Sequence, residues 1–72
     1  MPALSKREQN KLDRQINEIV GRRCGGLPID VLKIGDVFKA GYAAHSGVTG
    51  QDVEAAVVET YTRLSRETAT RS

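Results

Sequence analysis

The sequence contains very few of the residues that build cross-links, metal sites or aromatic cores. Its 72 residues include one cysteine, one histidine, one phenylalanine, two tyrosines and no tryptophan. A single cysteine forms no disulfide within the chain, and Cys24 with His45 gives too few ligands for zinc. We therefore expect one small domain without a metal or cofactor, its core built from Leu, Ile, Val and Ala, in a reducing, cytoplasmic compartment.

Long apolar runs and catalytic patterns are also missing. No run approaches the roughly 18 to 20 apolar residues that cross a bilayer, and the first residues, MPALSKREQ, lack the apolar stretch of a signal peptide. Cys24 and His45 lie in no pattern that builds an oxyanion hole. We expect no membrane segment, no catalytic residue and no small-molecule substrate, and hence no enzyme.

The order of apolar residues and capping signals predicts an all-α fold of three or four short helices. Ser5 and Glu8 match a capping box at the start of the first helix, and Gly25-Gly26 can end it. Thr49 and Asp52 repeat the capping pattern further along the chain. The predicted helices cover about residues 6–23, 28–46 and 50–65.

The number of helices in the middle of the chain has two alternatives. Gly35-Asp36 offers a break and a new cap, so residues 28–46 form either one helix with a weak point or two shorter helices. We expect residues 1–4 to be a disordered N-terminus, residues 5–64 to form a single domain and residues 66–72, which have only Ala69 as an apolar residue, to be a disordered tail.

The first helix carries a narrow apolar stripe on an otherwise charged cylinder. Leu12, Ile16 and Ile19 recur at helical spacing. Small domains often gain stability from a second copy, so this stripe predicts self-association as a homodimer.

Charge is distributed unevenly although the net charge is only +2. Residues 1–23 contain six Lys or Arg and three Asp or Glu, for a net +3, whereas residues 24–64 contain three and five, for a net −2. A basic arm can attract a polyanion, and it can equally be a solvated helix face.

One segment, residues 43–53, matches a known pattern of small and apolar residues. Ala43 permits close approach of two helices, Gly47 turns the chain, and Val48 and Val53 are expected to bury against the preceding helix. This spacing resembles the helix-turn-helix of phage-repressor and Cro-like regulators. The resemblance covers residues 39–60.

This resemblance implies that the helix beginning near Thr49 is a recognition helix. Its outward residues, which are the expected partner-binding residues, are Gln51, Glu54, Ala55, Val58 and Thr62. Asp52, Glu54 and Glu59 place negative charge where phosphates would lie, which opposes the electrostatic term that usually dominates DNA binding.

Two functions remain as alternatives. The first is a small regulator of gene expression that acts by contact with a regulatory protein, of the antiactivator or adaptor type. The second is a dimeric helix-turn-helix DNA-binding transcriptional regulator. The expected contacts with the nucleic-acid backbone in that second case are Lys6, Arg7, Lys11, Arg14 and Thr49.

Overall fold

Three α-helices and one 3₁₀ turn make up the described part of the fold. The structure is a computed structural model that describes residues 5–71. Helix α1 spans Lys6–Arg23, a 3₁₀ turn spans Val31–Lys33, α2 spans Ile34–His45 and α3 spans Val53–Arg71. No strand occurs within this part of the chain, so the all-α prediction is confirmed.

Helix α1 begins at the capping residues seen in the sequence. The Glu8 backbone N–H donates to Ser5 Oγ at 3.1 Å, which satisfies an amide that the helix itself leaves unpaired. The Ser5 hydroxyl donates in turn to the Glu8 carboxylate at 3.2 Å. At the other end, the Cys24 amide donates to the Val20 carbonyl at 2.9 Å, and Gly26 follows with φ of +92°.

The second helix starts later than the sequence suggests. Asp30 caps the preceding 3₁₀ turn, because its carboxylate accepts from the Leu32 backbone N–H at 3.0 Å, whereas α2 itself has no side-chain cap. Helix α2 then begins at Ile34, whereas the expected start was residue 28. Gly35 lies in the first turn of α2 rather than at a break.

The connection between α2 and α3 comprises residues 46–52. Gly47 and Gly50 adopt φ values of +83° and +72°, a region that glycine enters without strain. Val48 is 73% exposed, so the expectation that it buries against the preceding helix is wrong. The Val48 backbone N–H returns to α2 and donates to the Ala43 carbonyl at 3.0 Å, while the side chain faces solvent.

Asp52 sets the start of α3. Its carboxylate accepts from the Ala55 backbone N–H at 2.7 Å, which makes Asp52 itself the cap and Val53 the first helical residue, in place of the expected residue 50. The Thr49 hydroxyl accepts from the Gln51 amide at 3.3 Å, a local turn that precedes the helix.

Helix α3 continues to Arg71, so the prediction of a disordered tail is wrong for residues 66–71; residues 1–4 and 72 lie outside the described part. Thr68 explains the difference. Its hydroxyl donates to the Leu64 carbonyl at 3.0 Å and accepts from the Asp30 amide at 3.3 Å, which ties the last turns to the segment before α2. A tertiary contact therefore supports a stretch with almost no apolar side chains.

The core lies where the three helices meet. The buried cluster contains Leu12, Ile16, Ile19, Cys24, Val37, Val57, Tyr61 and Leu64. The stripe of α1 is at most 3% exposed in the isolated chain. This contradicts the basis for self-association through helix one, because α2 and α3 already cover the stripe.

Gly41 allows the closest approach of the helices. A Cβ atom added there would lie 2.6 Å from Ile16 Cδ1 and 3.3 Å from Val57 Cγ2. Ile16 and Val57 are both fully buried, so neither can move away freely. The requirement for a small residue that the sequence analysis assigned to Ala43 thus belongs to Gly41, two residues earlier.

A polar contact joins α1 to α2 at the edge of this core. The Tyr42 hydroxyl donates to the carboxylate of Asp13, and both residues are half-buried. The hydrogen bond to Asp13, followed by burial and the negative charge of Asp13, raises the pKa of Tyr42 above its usual value of 10.0.

Replacing Gly41 by alanine should destabilise the fold. Overpacking costs about 1 to 3 kcal/mol, which outweighs the roughly 1 kcal/mol gained in helix propensity. Gly21→Ala in α1 is the matched control, because no atom lies within 4 Å of its added Cβ. Urea unfolding should show Gly41→Ala less stable than the parent and Gly21→Ala more stable. Stabilisation by both substitutions would show that the contact at Gly41 is loose.

The Tyr42 contact should produce a loss of stability at alkaline pH. The pKa of Tyr42 is raised in the folded state. The Tyr42 hydroxyl therefore makes its full contribution to the free energy of unfolding below about pH 10, and this contribution declines as pH rises through the folded pKa. Tyr42→Phe should lower the free energy of unfolding by about 1 to 2 kcal/mol near pH 8. The difference in the free energy of unfolding between Tyr42→Phe and the parent should become smaller as the pH rises to about 11. A difference that stays constant over this range would contradict a role for the ionisation of Tyr42.

Candidate functional site

A shallow surface depression of about 450 Å³ lies beside the start of α3. We call it the acidic depression, and it is lined by Arg23, Asp52, Glu54, Ala55, Val58 and Glu59. Three of the five expected partner-binding residues, Glu54, Ala55 and Val58, therefore come together. Gln51 is adjacent, because its side-chain amide donates to Glu59 Oε2 at 2.6 Å, whereas Thr62 is not among the lining residues.

Negative charge dominates this depression. Three carboxylates face one guanidinium, and Arg23 Nη1 lies 2.8 Å from Glu54 Oε2. The two side chains of this ion pair are 55% and 44% exposed, so the pair contributes about 0 to 1 kcal/mol and can rearrange when another charge arrives. Asp52 and Glu59 have no cationic partner among residues 5–71.

The apolar part of the depression is smaller than the sequence suggests. Val58 is half-buried and packs against the core cluster, so it has an internal role that the sequence analysis did not assign to it. Ala55 is exposed. A partner therefore meets a small methyl group and the edge of a valine, surrounded by carboxylates.

Three of the residues that line the depression lie outside the expected binding set. Asp52 and Glu59 carry charge that was visible in the sequence, but their place beside Ala55 follows from helical spacing only once the start of α3 is known. Arg23 comes from the end of α1, 31 residues before Glu54. No local pattern signals that contact.

A second surface follows the outward side of α1. We call it the basic face, and it is lined by Lys6, Arg7, Asn10, Lys11 and Arg14. Four of the five expected backbone-contacting residues are thus brought together on one helix. Thr49 is separate, since it lies in the α2–α3 connection and holds the Gln51 amide.

Cys24 and His45 lie apart, since Cys24 follows α1 and His45 lines a depression with Glu8 and Gln15 near the start of that helix. Cys24 is 1% exposed, and burial raises the pKa of its thiol, with Arg23 acting in the opposite direction more weakly. His45 is exposed at the end of α2. Within residues 5–71 no group of three His, Cys, Asp or Glu side chains is arranged to hold a metal ion. No helix in this range has the length and apolar character needed to cross a bilayer.

The acidic depression and the basic face are the two surfaces that contain most of the residues expected from the sequence to bind a partner, and both are defined by charge. They lie toward opposite ends of α1, since Arg23 is the last residue of that helix and Lys6 the first. No family model, curated protein or solved structure matches the chain.

Proposed function

We propose that the protein is a small non-enzymatic regulator of gene expression, of the antiactivator or adaptor type, that binds a regulatory protein at the acidic depression. The observation that supports this proposal is the set of three carboxylates around Ala55 and Val58 at the start of α3. The partner surface that fits it is basic, with a small apolar side chain at its centre.

The chemistry of the depression favours such a partner. A Lys or Arg of the partner would lie between Asp52 and Glu59, and Arg is preferred because its planar group binds carboxylates with two hydrogen bonds. Ala55 leaves room for the partner to approach closely. Long-range attraction to the carboxylates would raise the association rate more than the final affinity.

The same residues disfavour the alternative, a dimeric helix-turn-helix protein that inserts α3 into DNA. The first basic residue of α3 is Arg63, more than two turns beyond Asp52. Gln51, which would recognise adenine, is bonded to Glu59. The connection of residues 46–52 is also longer than the three or four residues usual in that motif.

The role in gene expression rests on the resemblance of residues 39–60 in sequence to a helix-turn-helix, although the connection of residues 46–52 is longer than that motif's turn. In this proposal the corner between α2 and α3 serves to present the acidic depression, rather than to enter a groove of DNA. Ala43 and Val53 would support that corner from within, and the exposed residues of α3 would contact the partner.

The proposal is tested by placing a photoreactive amino acid at Ala55 and, as a control, at Thr70 on the same helix. Irradiation of cells should join a regulatory protein to position 55 and not to position 70. Both positions are exposed, so neither substitution should perturb folding by more than about 0.5 kcal/mol.

The captured protein should then be titrated against two variants of equal charge change. Ala55→Arg with Glu59→Lys should weaken binding at least about tenfold, because it places positive charge in the depression. Thr70→Arg with Glu67→Lys adds the same charge at the far end of α3 and should leave affinity within about twofold. Equal effects of the two double variants would refute the assignment of the surface.

A further inference from the structure

The basic face of α1 is not neutralised by its own helix. Three carboxylates share α1 with its four cations: Glu8 accepts the Ser5 hydroxyl, Asp13 accepts the Tyr42 hydroxyl, and Glu18 lies one turn beyond Arg14. Within residues 5–71 the ion pair formed is that of Arg23 with Glu54, at the other end of α1. Lys6, Arg7, Lys11 and Arg14 are all exposed and carry no ion pair in the described structure.

The length of the basic face matches a short run of phosphates. Lys6 and Arg14 are eight residues apart, which is about 12 Å along the helix axis. One strand of duplex DNA carries a phosphate per 3.4 Å of its axis, so this length faces about four phosphates. On the helical projection the basic face lies opposite Leu12, Ile16 and Ile19, so it points directly away from the core.

We propose that the basic face binds the phosphate backbone of double-stranded DNA without regard to base sequence. This goes beyond the proposed contact with a regulatory protein, and it does not use α3 as a recognition helix. The acidic depression begins at Arg23, about 25 Å along α1 from Lys6. That separation leaves the basic face free of the repulsion that α3 would exert on phosphates.

Two other polyanions fit the structure less well. An amphipathic helix that lies on an anionic membrane needs a free apolar side, and that of α1 is buried against α2 and α3. Binding of single strands relies on aromatic side chains on which bases stack, and none lines the basic face. Binding to a row of phosphates on a duplex requires neither a free apolar side of the helix nor aromatic side chains.

The test is a fluorescence-anisotropy titration of the full chain with a labelled random-sequence duplex of about 20 base pairs. Four phosphate contacts predict a slope of log K against log salt of about −3.6, which is a fall in affinity of about 150-fold between 50 and 200 mM salt. Arg7→Gln and Lys11→Gln should each reduce the magnitude of the slope by about 0.9.

The matched controls are Lys33→Gln and Lys39→Gln, which remove equal charge from exposed positions near and within α2 and should leave the slope unchanged. Thermal unfolding of each variant checks that it is folded. The double variant Ala55→Arg with Glu59→Lys should still bind the duplex, and Arg7→Gln and Lys11→Gln should weaken that binding as they do in the parent. Loss of protein binding at the acidic depression is therefore distinguishable from loss of DNA binding at the basic face.

Several results would overturn the proposal. These are no binding at 50 mM salt, equal slope changes for the α1 and α2 variants, and tighter binding to a single strand of the same sequence. Co-sedimentation with phosphatidylserine vesicles in the absence of duplex binding would assign the basic face to a membrane surface instead.

Discussion

The contact of Gly41 with Ile16 and Val57 is the constraint on which the rest of this structure depends. It brings one residue from each helix to a single point, and the side chains of Ile16 and Val57 have no exposed surface. A chain of 72 residues with three aromatic side chains has little other apolar area with which to hold its helices together. Close approach at a glycine increases dispersion contacts among the small aliphatic residues that it does have.

Hydrogen bonds of polar groups at the helix ends add to the packing at Gly41. Asp30 and Asp52 hold the starts of the 3₁₀ turn and α3, and Thr68 joins the last turns of α3 to the segment before α2. The Tyr42–Asp13 hydrogen bond fixes α2 against α1 from the rim of the core. These hydrogen bonds help to set where the 3₁₀ turn and α3 begin and how far α3 extends.

The distribution of charge follows from the same packing. The core takes one side of α1 and leaves its basic residues on the other, while the start of α3 is turned so that its carboxylates gather around Ala55. The result is a small body with positive and negative surfaces toward opposite ends of α1. In the functions proposed here, the negative surface recognises a protein and the positive one a DNA backbone, which together would make the molecule an adaptor.

The sequence alone determined the helical class, because apolar residues at helical spacing and capping residues are local signals. It also showed that basic residues gather in α1 and carboxylates at the start of α3, since the residues of each group are close in the chain. It misplaced the helix starts at residues 28 and 50, because several residues can cap and only the folded chain selects one of them. Three further features were decided by tertiary structure alone: the burial of the α1 stripe within one copy, the extension of α3 to Arg71, and the arrival of Arg23 beside Glu54. Each depends on a contact between residues far apart in sequence, and no local pattern encodes such a contact.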